Sequence, residues 1–386
     1  MGVSVDVLEI GEFADFAERH SGDWQRIAAS SDRATVFQTW EWVSAWWQHH
    51  RSGKRFRGLV FRENGVVIGL AALFQSSVPT LFRTLRFVGT GGSDYLDLIA
   101  LPGKESSVCG AFETALAERR TAWDWIDLHQ VRAGAVLDTF GTDGLSRAVQ
   151  ATPWRGETCP YLALAPDWAA FRAGLGKKLR QNVGYYGRAL EKAYIVEIRT
   201  ATEETLADDL DAFFFLHQRR WNQRWMPGAF ASQRERAFHT NVASRLLSAG
   251  MLRLHTLTLD GTVQAALYCF QKADRCYYYL GGFEPKFARQ SIGTVLTSYA
   301  IRYAIEQDGA KEFDFLRGDE GYKYKWGARD RYNRRLSITH PGLRPALLAA
   351  GGRLSLTMEQ KLKSYMHRRH GGPPAGADNH ASVPDG

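Results

Sequence analysis

Two hydrophobic rhythms alternate along the chain, and their order is the same in both halves. Residues 3–33 predict a short strand and a helix, and residues 37–47 carry Trp42, Trp46 and Trp47 at mixed helical spacing, which predicts a second helix. Residues 56–62 and 66–74 read as strands joined by Asn64-Gly65, a pair that supplies the positive φ values of a tight hairpin. Residues 85–88 and 95–100 are further strands, separated by the glycine-rich run 89–94. A helix over 104–119 and a near-alternating strand over 123–131 follow. In the second half, strands 252–259 and 262–271 flank the turn Asp260-Gly261, and a third strand covers 275–282. A loop through Arg289 and Gly293 then leads into a helix over 294–307 and a strand over 311–316.

Each half thus predicts strand, hairpin, strand, strand, glycine-rich loop, helix, strand. The repeat is one of architecture and not of letters. It implies an α/β (α+β) chain of two similar lobes, residues 1–155 and 156–345, each with a mostly antiparallel sheet flanked by helices. Thr152-Pro153 and Cys159-Pro160 mark the boundary, because a residue before proline is pushed out of helical space. Between the two patterns, residues 168–192 place Leu175, Leu179, Val183 and Leu190 at helical spacing, with Lys177, Lys178, Arg180, Arg188 and Lys192 on the other surface. Gly184 and Gly187 weaken that helix by about 1 kcal/mol each relative to alanine. Another helix is predicted over 210–220. Residues 346–370 read as a basic helical extension, and residues 371–386, rich in Gly, Pro, Ala and Asp, as a disordered tail.

Composition narrows the setting. With 386 residues, 45% apolar and 23% charged, the chain is of ordinary folded type, and its net charge of +8 suits anionic partners without choosing among them. No run approaches the ~20 apolar residues of a membrane-spanning helix. The start of the chain lacks the basic and apolar regions of a signal peptide. Cys109, Cys159, Cys269 and Cys276 match neither a redox pair nor a zinc knuckle, so a reducing, cytoplasmic setting is expected. His49-His50 and His129 lack partners at ligand spacing, no metalloenzyme or P-loop pattern occurs, and no metal site is expected.

The candidate chemistry concentrates in residues 276–326. Arg289-Gln290-Ser291-Ile292-Gly293-Thr294 joins a strand to a helix. A helix start offers unpaired N–H groups and a positive dipole end, glycine permits close approach, and arginine adds a forked cation. Together these suit a diphosphate; the alternative is a tight turn in which Gly293 only lets the chain bend. Arg317-Gly318-Asp319-Glu320-Gly321-Tyr322-Lys323 follows the next strand. There Asp319 or Glu320 is a candidate proton acceptor and Lys323 a candidate for a phosphate or a developing oxyanion, against the alternative of a solvated, internally paired loop. Alternation sends Tyr278 to the opposite face from Tyr277 and Tyr279, toward a ligand or the core. His217 is a further candidate base, or a packed histidine, and Trp221 with Arg224 a candidate acceptor groove. In the first half, residues 91–97 occupy the position of the second half's anion loop but contain no basic residue. That lobe is expected to bind no cofactor, and its Asp94 and Asp97 either form an acceptor surface or support the fold.

The strand, arginine-bearing loop, helix and strand order resembles the acyl-CoA-binding core of the GNAT superfamily. Its pyrophosphate loop follows the pattern Arg/Gln-x-x-Gly-x-Gly/Ala, and Gln290 to Val295 match it except that Val295 replaces the final small residue. Over residues 37–47, 177–190, 214–221, 277–283 and 313–326 the chain resembles the FemAB-like branch with tandem GNAT lobes, and more narrowly its CelD-like acetyltransferases associated with exopolysaccharide synthesis. The resemblance implies acetyl-CoA or another acyl-CoA as co-substrate, held at Gly281, Gly282, Arg289, Gln290, Gly293 and Thr294. It also implies an amine acceptor, such as an amino sugar or envelope-glycan precursor. Two alternatives stay open: a FemAB-like aminoacyl-tRNA donor, met by the basic helix 177–192, and a non-catalytic binding or assembly protein.

Overall fold

The computed structural model describes residues 5–76, 83–140, 150–222 and 228–339, with side chains left undescribed at residues 139, 150–155 and 220–222. The chain divides into two compact units. One runs to Glu157 and takes the chain back from Tyr332, and the other spans Thr158–Arg331. The predicted extension 346–370 and tail 371–386 lie outside the described residues.

The first unit is built on strands β1 (Val5–Ile10), β2 (Lys54–Glu63), β3 (Val66–Ser76), β4 (Thr84–Phe87), β5 (Ile99–Ala100), β6 (Trp125–Val131) and β7 (Gln150–Thr158). Helices α1 (Phe13–Ser30), α2 (Trp40–His50) and α3 (Glu105–Glu118) accompany them. Asn64 and Gly65 take φ values of 50° and 79° at the β2–β3 hairpin, as their sequence demands. β1–β2, β2–β3, β3–β4 and β3–β5 pair antiparallel, whereas β4 and β6 run parallel (Leu85↔Ile126) with α3 in the connection between them. The stretch predicted as a strand over 95–100 is a ladder only at its end. The Leu96 N–H donates to Gln130 O, and the Asp97 carboxylate turns aside to accept the Val136 and Leu137 amides.

The sequence-based division at 345 differs from the structure. The strand Tyr332–Thr339 pairs with β6 of the first unit, Leu336 against Leu128 and Ile338 against Ile126. Leu336 and Ile338 are fully buried in that unit's core beside Phe61, Phe112 and Leu128. Arg335 adds a two-pronged ion pair, 2.7 and 3.0 Å, to Asp127. Burial works to raise the Asp127 carboxyl, but His129 and Arg335 overcome it and hold the group near a pKa of about 2.

The second unit carries β8 (Tyr161–Ala163), β9 (Val196–Thr200), β10 (Leu252–Leu259), β11 (Thr262–Lys272), β12 (Arg275–Phe283) and β13 (Glu312–Asp314); the returning strand Tyr332–Thr339 is β14. The sheet order is β8-β13-β12-β11-β10-β9, antiparallel except for β12–β13. Alternation along β11 divides its two faces. Cys269 packs toward α8 (Ile292–Glu306), whereas Tyr268 and Phe270 join an aromatic cluster with Phe213, Phe230 and His239 from the side of α6 (Leu206–Asn222) and α7 (Gln233–Ser248). The helix predicted over 168–192 is in fact two, α4 (Trp168–Gly174) and α5 (Lys177–Ala193). The chain leaves helical geometry at Leu175 (ψ 147°) and Gly176 (ψ 141°), and Leu175 is buried where the chain turns. Helix α7 was not anticipated; it begins at Ser232, whose hydroxyl accepts the Glu235 N–H at 3.1 Å. The four cysteines are buried and form no disulfide. No described helix is long and apolar enough to cross a membrane.

Candidate functional site

Strands β12 and β13 are bonded over only three pairs, Arg275↔Glu312, Cys276↔Phe313 and Tyr277↔Asp314. β13 then stops while β12 continues to Phe283. Two parallel strands therefore part at their carboxyl ends, the place where open sheets bind ligands. Glu284 N–H donates to Gln264 O, and alternate residues of an antiparallel strand bond to the same neighbour, so Gly282 and Leu280 turn their amides toward β11. Gly281 turns its N–H to the opposite edge, where β13 has ended.

The chain leaves β12 and enters α8 through Ser291, a buried non-glycine residue with φ 52° and ψ 37°. That conformation is uncommon for a side-chain-bearing residue, and it points to a local constraint. Neither Ser291 Oγ nor Gln290 Oε1 has a hydrogen-bond partner among the described residues, although both atoms are buried. The helix opens at Ile292 and not at the expected Thr294, whose N–H is already committed to Ser291 O at 2.9 Å. The orphan donors of the first turn are thus the Ile292 and Gly293 amides. A Cβ on Gly293 would meet only the Phe283 ring at 3.6 Å, so packing does not require glycine there. Arg289 is exposed and makes no ion pair among the described residues. Unpaired amides, a buried hydroxyl and an unpaired guanidinium at one helix start are a donor set that fits a diphosphate.

Gly281 and Gly282 are small for reasons internal to the protein. A Cβ on Gly282 would lie 2.6 Å from His217 N, so this glycine lets the α6 backbone reach β12, on the face away from α8. The space beside Gly281 is filled by the Tyr278 hydroxyl. Tyr278 stands at the parting of the strands, its ring 5.8 Å from that of Phe315 and 6.5 Å from that of Tyr322. It faces α8, away from Tyr279, as alternation predicts.

The loop after β13 is held in place from within. Leu316 takes φ 56° and Gly318 φ 107°. Lys323, on the short helix α9 (Gly321–Lys325), is buried and donates from Nζ to Arg317 O and Gly318 O, both at 2.9 Å. It also lies 2.7 Å from Glu320 Oε2. An ammonium has three donors, and the carbonyls of Leu316 (3.4 Å), Arg317 and Gly318 accept them, with Glu320 alongside as the counter-charge. Lys323 therefore pins the loop and has no donor left for a phosphate or oxyanion, and Glu320 is tied up as its counter-ion. Asp319 is exposed and makes no ion pair among the described residues, so of the two carboxylates it alone is available. His217, a candidate base, is 1% exposed and packs between Phe213 and Phe230 in the aromatic cluster, away from the crevice side of Gly281.

The other sequence candidates scatter. Asp94 is buried in the first unit, where its backbone oxygen accepts Asn333 Nδ2. Asp97 spends both carboxylate oxygens on the Val136 and Leu137 amides, so it clamps the fold and presents no acceptor surface. Burial raises its pKa to about 7, against those hydrogen bonds. The Trp221 side chain and Arg224 lie outside the described residues. Among the described residues no cluster of His, Cys, Asp or Glu is placed to hold a metal. Sequence inspection missed Glu284, a buried carboxylate at the end of β12 paired with Arg219 at 3.1 Å; its only signal was its place next to Gly281-Gly282-Phe283.

Residues 177–324 match the model of the acetyltransferase (GNAT) domain. No curated protein matches the sequence. Among solved structures, FemX is similar at a TM-score of 0.62 and 12% identity, over 89% of this chain and 99% of its own. A conserved protein of unknown function from Bacteroides thetaiotaomicron VPI-5482 is similar at a TM-score of 0.56 and 11% identity, over 86% of this chain and 100% of its own. Residues 177–324 thus carry a GNAT acetyltransferase domain, which supports acyl transfer, and the chain as a whole shares the fold of FemX.

Proposed function

We propose that the protein transfers an acyl group from acetyl-CoA or another acyl-CoA to an amine, in the cytoplasm, with an amino sugar or envelope-glycan precursor as acceptor. The observation that carries this is the start of α8. Among the described residues buried Ser291 Oγ lacks a partner and exposed Arg289 makes no ion pair, the Ile292 and Gly293 amides are unpaired by helix geometry, and the parallel strands β12 and β13 part before this turn. The diphosphate rests on those amides and on Arg289, and the thioester lies along the open edge of β12. The Gly281 N–H polarises the thioester carbonyl. A neutral amine attacks: the C–N bond forms, the C–S bond breaks, and the amine proton passes through Asp319 or a water to the departing sulfur. Holding both reactants in register supplies much of the acceleration.

An aminoacyl-tRNA donor is the alternative, favoured by the exposed basic residues Lys177, Lys178, Arg188 and Lys192 of α5. Thermal unfolding with a series of acyl-CoAs and with aminoacyl-tRNA separates the two. A ligand at 100 times its dissociation constant adds about 2.7 kcal/mol of stability. Acyl-CoA should stabilise the protein with a shallow salt dependence and lose affinity in Arg289→Ala. Stabilisation by aminoacyl-tRNA alone, falling steeply with salt, would transfer the assignment to the alternative donor. Stabilisation by neither leaves a non-catalytic binding protein.

A further inference from the structure

The first unit contains a largely buried arginine that pairs with no carboxylate among the described residues. Arg132, immediately after β6, is 8% exposed, and its Nε is sealed from solvent with no hydrogen-bond partner. Its guanidinium makes no ion pair among the described residues. A guanidinium carries five N–H donors and cannot shed its charge, so a sealed, unpartnered Nε is unfavourable. Two groups offset this only in part. The Tyr95 ring lies 5.8 Å from the guanidinium carbon. Asp97 is near enough to feel the charge, yet its oxygens are taken by two backbone amides, and near neutral pH burial leaves it partly protonated.

The backbone is shaped to put Arg132 there. The β6–β14 register slips, so that Leu128 and Val131 oppose Leu336 and Arg334, which leaves one extra residue on β6. Within that bulge Gln130 takes φ 62°. Bulges of this kind re-aim a side chain, and they gather beside functional sites. Because β4 and β6 are parallel, the glycine-rich loop 89–94 and Arg132 leave the sheet at the same end, the carboxyl end where open sheets take ligands. The sequence of that loop contains no basic residue; the fold supplies one from elsewhere in the chain.

We infer that Arg132 in the first unit binds an oxyanion, the phosphate or carboxylate group of a small molecule, in a site separate from the one at α8. The planar fork of arginine accepts either group through two parallel hydrogen bonds. This inference does not depend on acyl-CoA use by the second unit.

The test is thermal unfolding of the full chain titrated with inorganic phosphate or with acetate, at ionic strength held constant with sodium chloride. Wild type should show saturable stabilisation by at least one of the two anions. The effect should persist in Arg289→Ala, which alters the α8 site, and its half-saturation concentration should rise at least tenfold in Arg132→Met. Stabilisation by phosphate identifies a phosphorylated ligand, and stabilisation by acetate alone a carboxylate. If Arg132→Met does not fold, Arg132→Lys replaces it. Lysine keeps charge and stem but loses the fork, and the same tenfold weakening is expected. No saturable effect in wild type, an effect lost in Arg289→Ala but kept in Arg132→Met, or unchanged affinity in Arg132→Lys each overturns the site.

Discussion

The Tyr278 hydroxyl occupies the space that a side chain on Gly281 would need, with 2.5 Å between its oxygen and an ideal Cβ. Strand β12 thus has one residue emptied so that another can lie along it at the parting of the sheet. Gly281→Ala should destabilise the protein by about 1–3 kcal/mol through overpacking. Adding Tyr278→Phe should recover most of the loss, since the nearest ring carbon lies at 3.4 Å and the remaining close contact, Leu267 Cδ2, belongs to a flexible side chain. Urea unfolding of the two single variants and the double variant measures the coupling. A double variant no more stable than Gly281→Ala would remove the hydroxyl as the cause.

Lys323 should prove a stability residue more than a ligand residue. Lys323→Met keeps the stem but abandons the Arg317 and Gly318 carbonyls and leaves the Glu320 carboxylate without its cation. Breaking such a buried pair costs about 3–5 kcal/mol. Denaturant midpoints will show this, and Glu320→Gln in the Lys323→Met background should return part of it. Acyl transfer by Lys323→Met should fall as well, because the loop bearing Asp319 loses its pin.

The two units should respond to pH in opposite directions. His255 is fully buried beside Arg253, and both depress its pKa to about 3. Its folded value lies below the unfolded value, so the stability it secures is complete above about pH 6.5 and declines on acidification, by about 1.4 kcal/mol per pH unit, down to pH 3. Asp97 is raised to about 7 by burial, despite the amides that lower it. There the folded protein binds the extra proton, so stability is lost as pH rises from about 4 to 7, with the same slope. Hydrogen exchange resolved by unit reads both effects. Asp97→Asn should flatten the first unit's profile and leave the second unit's acid limb intact; a profile unchanged by the substitution would refute the assignment.

Gly293→Ala distinguishes a glycine needed for a ligand from one needed by the fold. A Cβ there meets only Phe283 at an ordinary 3.6 Å, and alanine is the better helix residue, so stability should hold or rise by up to about 1 kcal/mol. Acyl-CoA affinity should nevertheless fall at least tenfold, because the methyl stands where the diphosphate approaches. Calorimetric titration alongside a melting curve gives both numbers. Unaltered affinity would mean the anion does not sit on the Gly293 amide.

Much of the backbone frame of the candidate site was legible in the chain itself. The strand ending in Gly281-Gly282-Phe283, the loop with Arg289, and the helix after it stand where the hydrophobic pattern put them, because local periodicity and turn residues report backbone geometry directly. The roles inside that frame were less legible. Lys323, Glu320 and His217 read as reactive groups, yet they are two halves of a buried ion pair and a ring in an aromatic cluster. Charge and titration are visible in a sequence, but the neighbours that consume them are not.

By itself, the order of residues determined the strands and hairpins of both halves, since alternation and Asn-Gly or Asp-Gly turns act over a few neighbouring positions. Only the tertiary structure decided that Tyr332–Thr339 completes the first unit's sheet, that Asp97 is spent on backbone amides, and that Arg132 comes to lie over Tyr95. Those outcomes depend on pairings between segments far apart in the chain. An alternating strand fits the edge of any sheet with an open ladder, and burial in a particular core selects which one it joins.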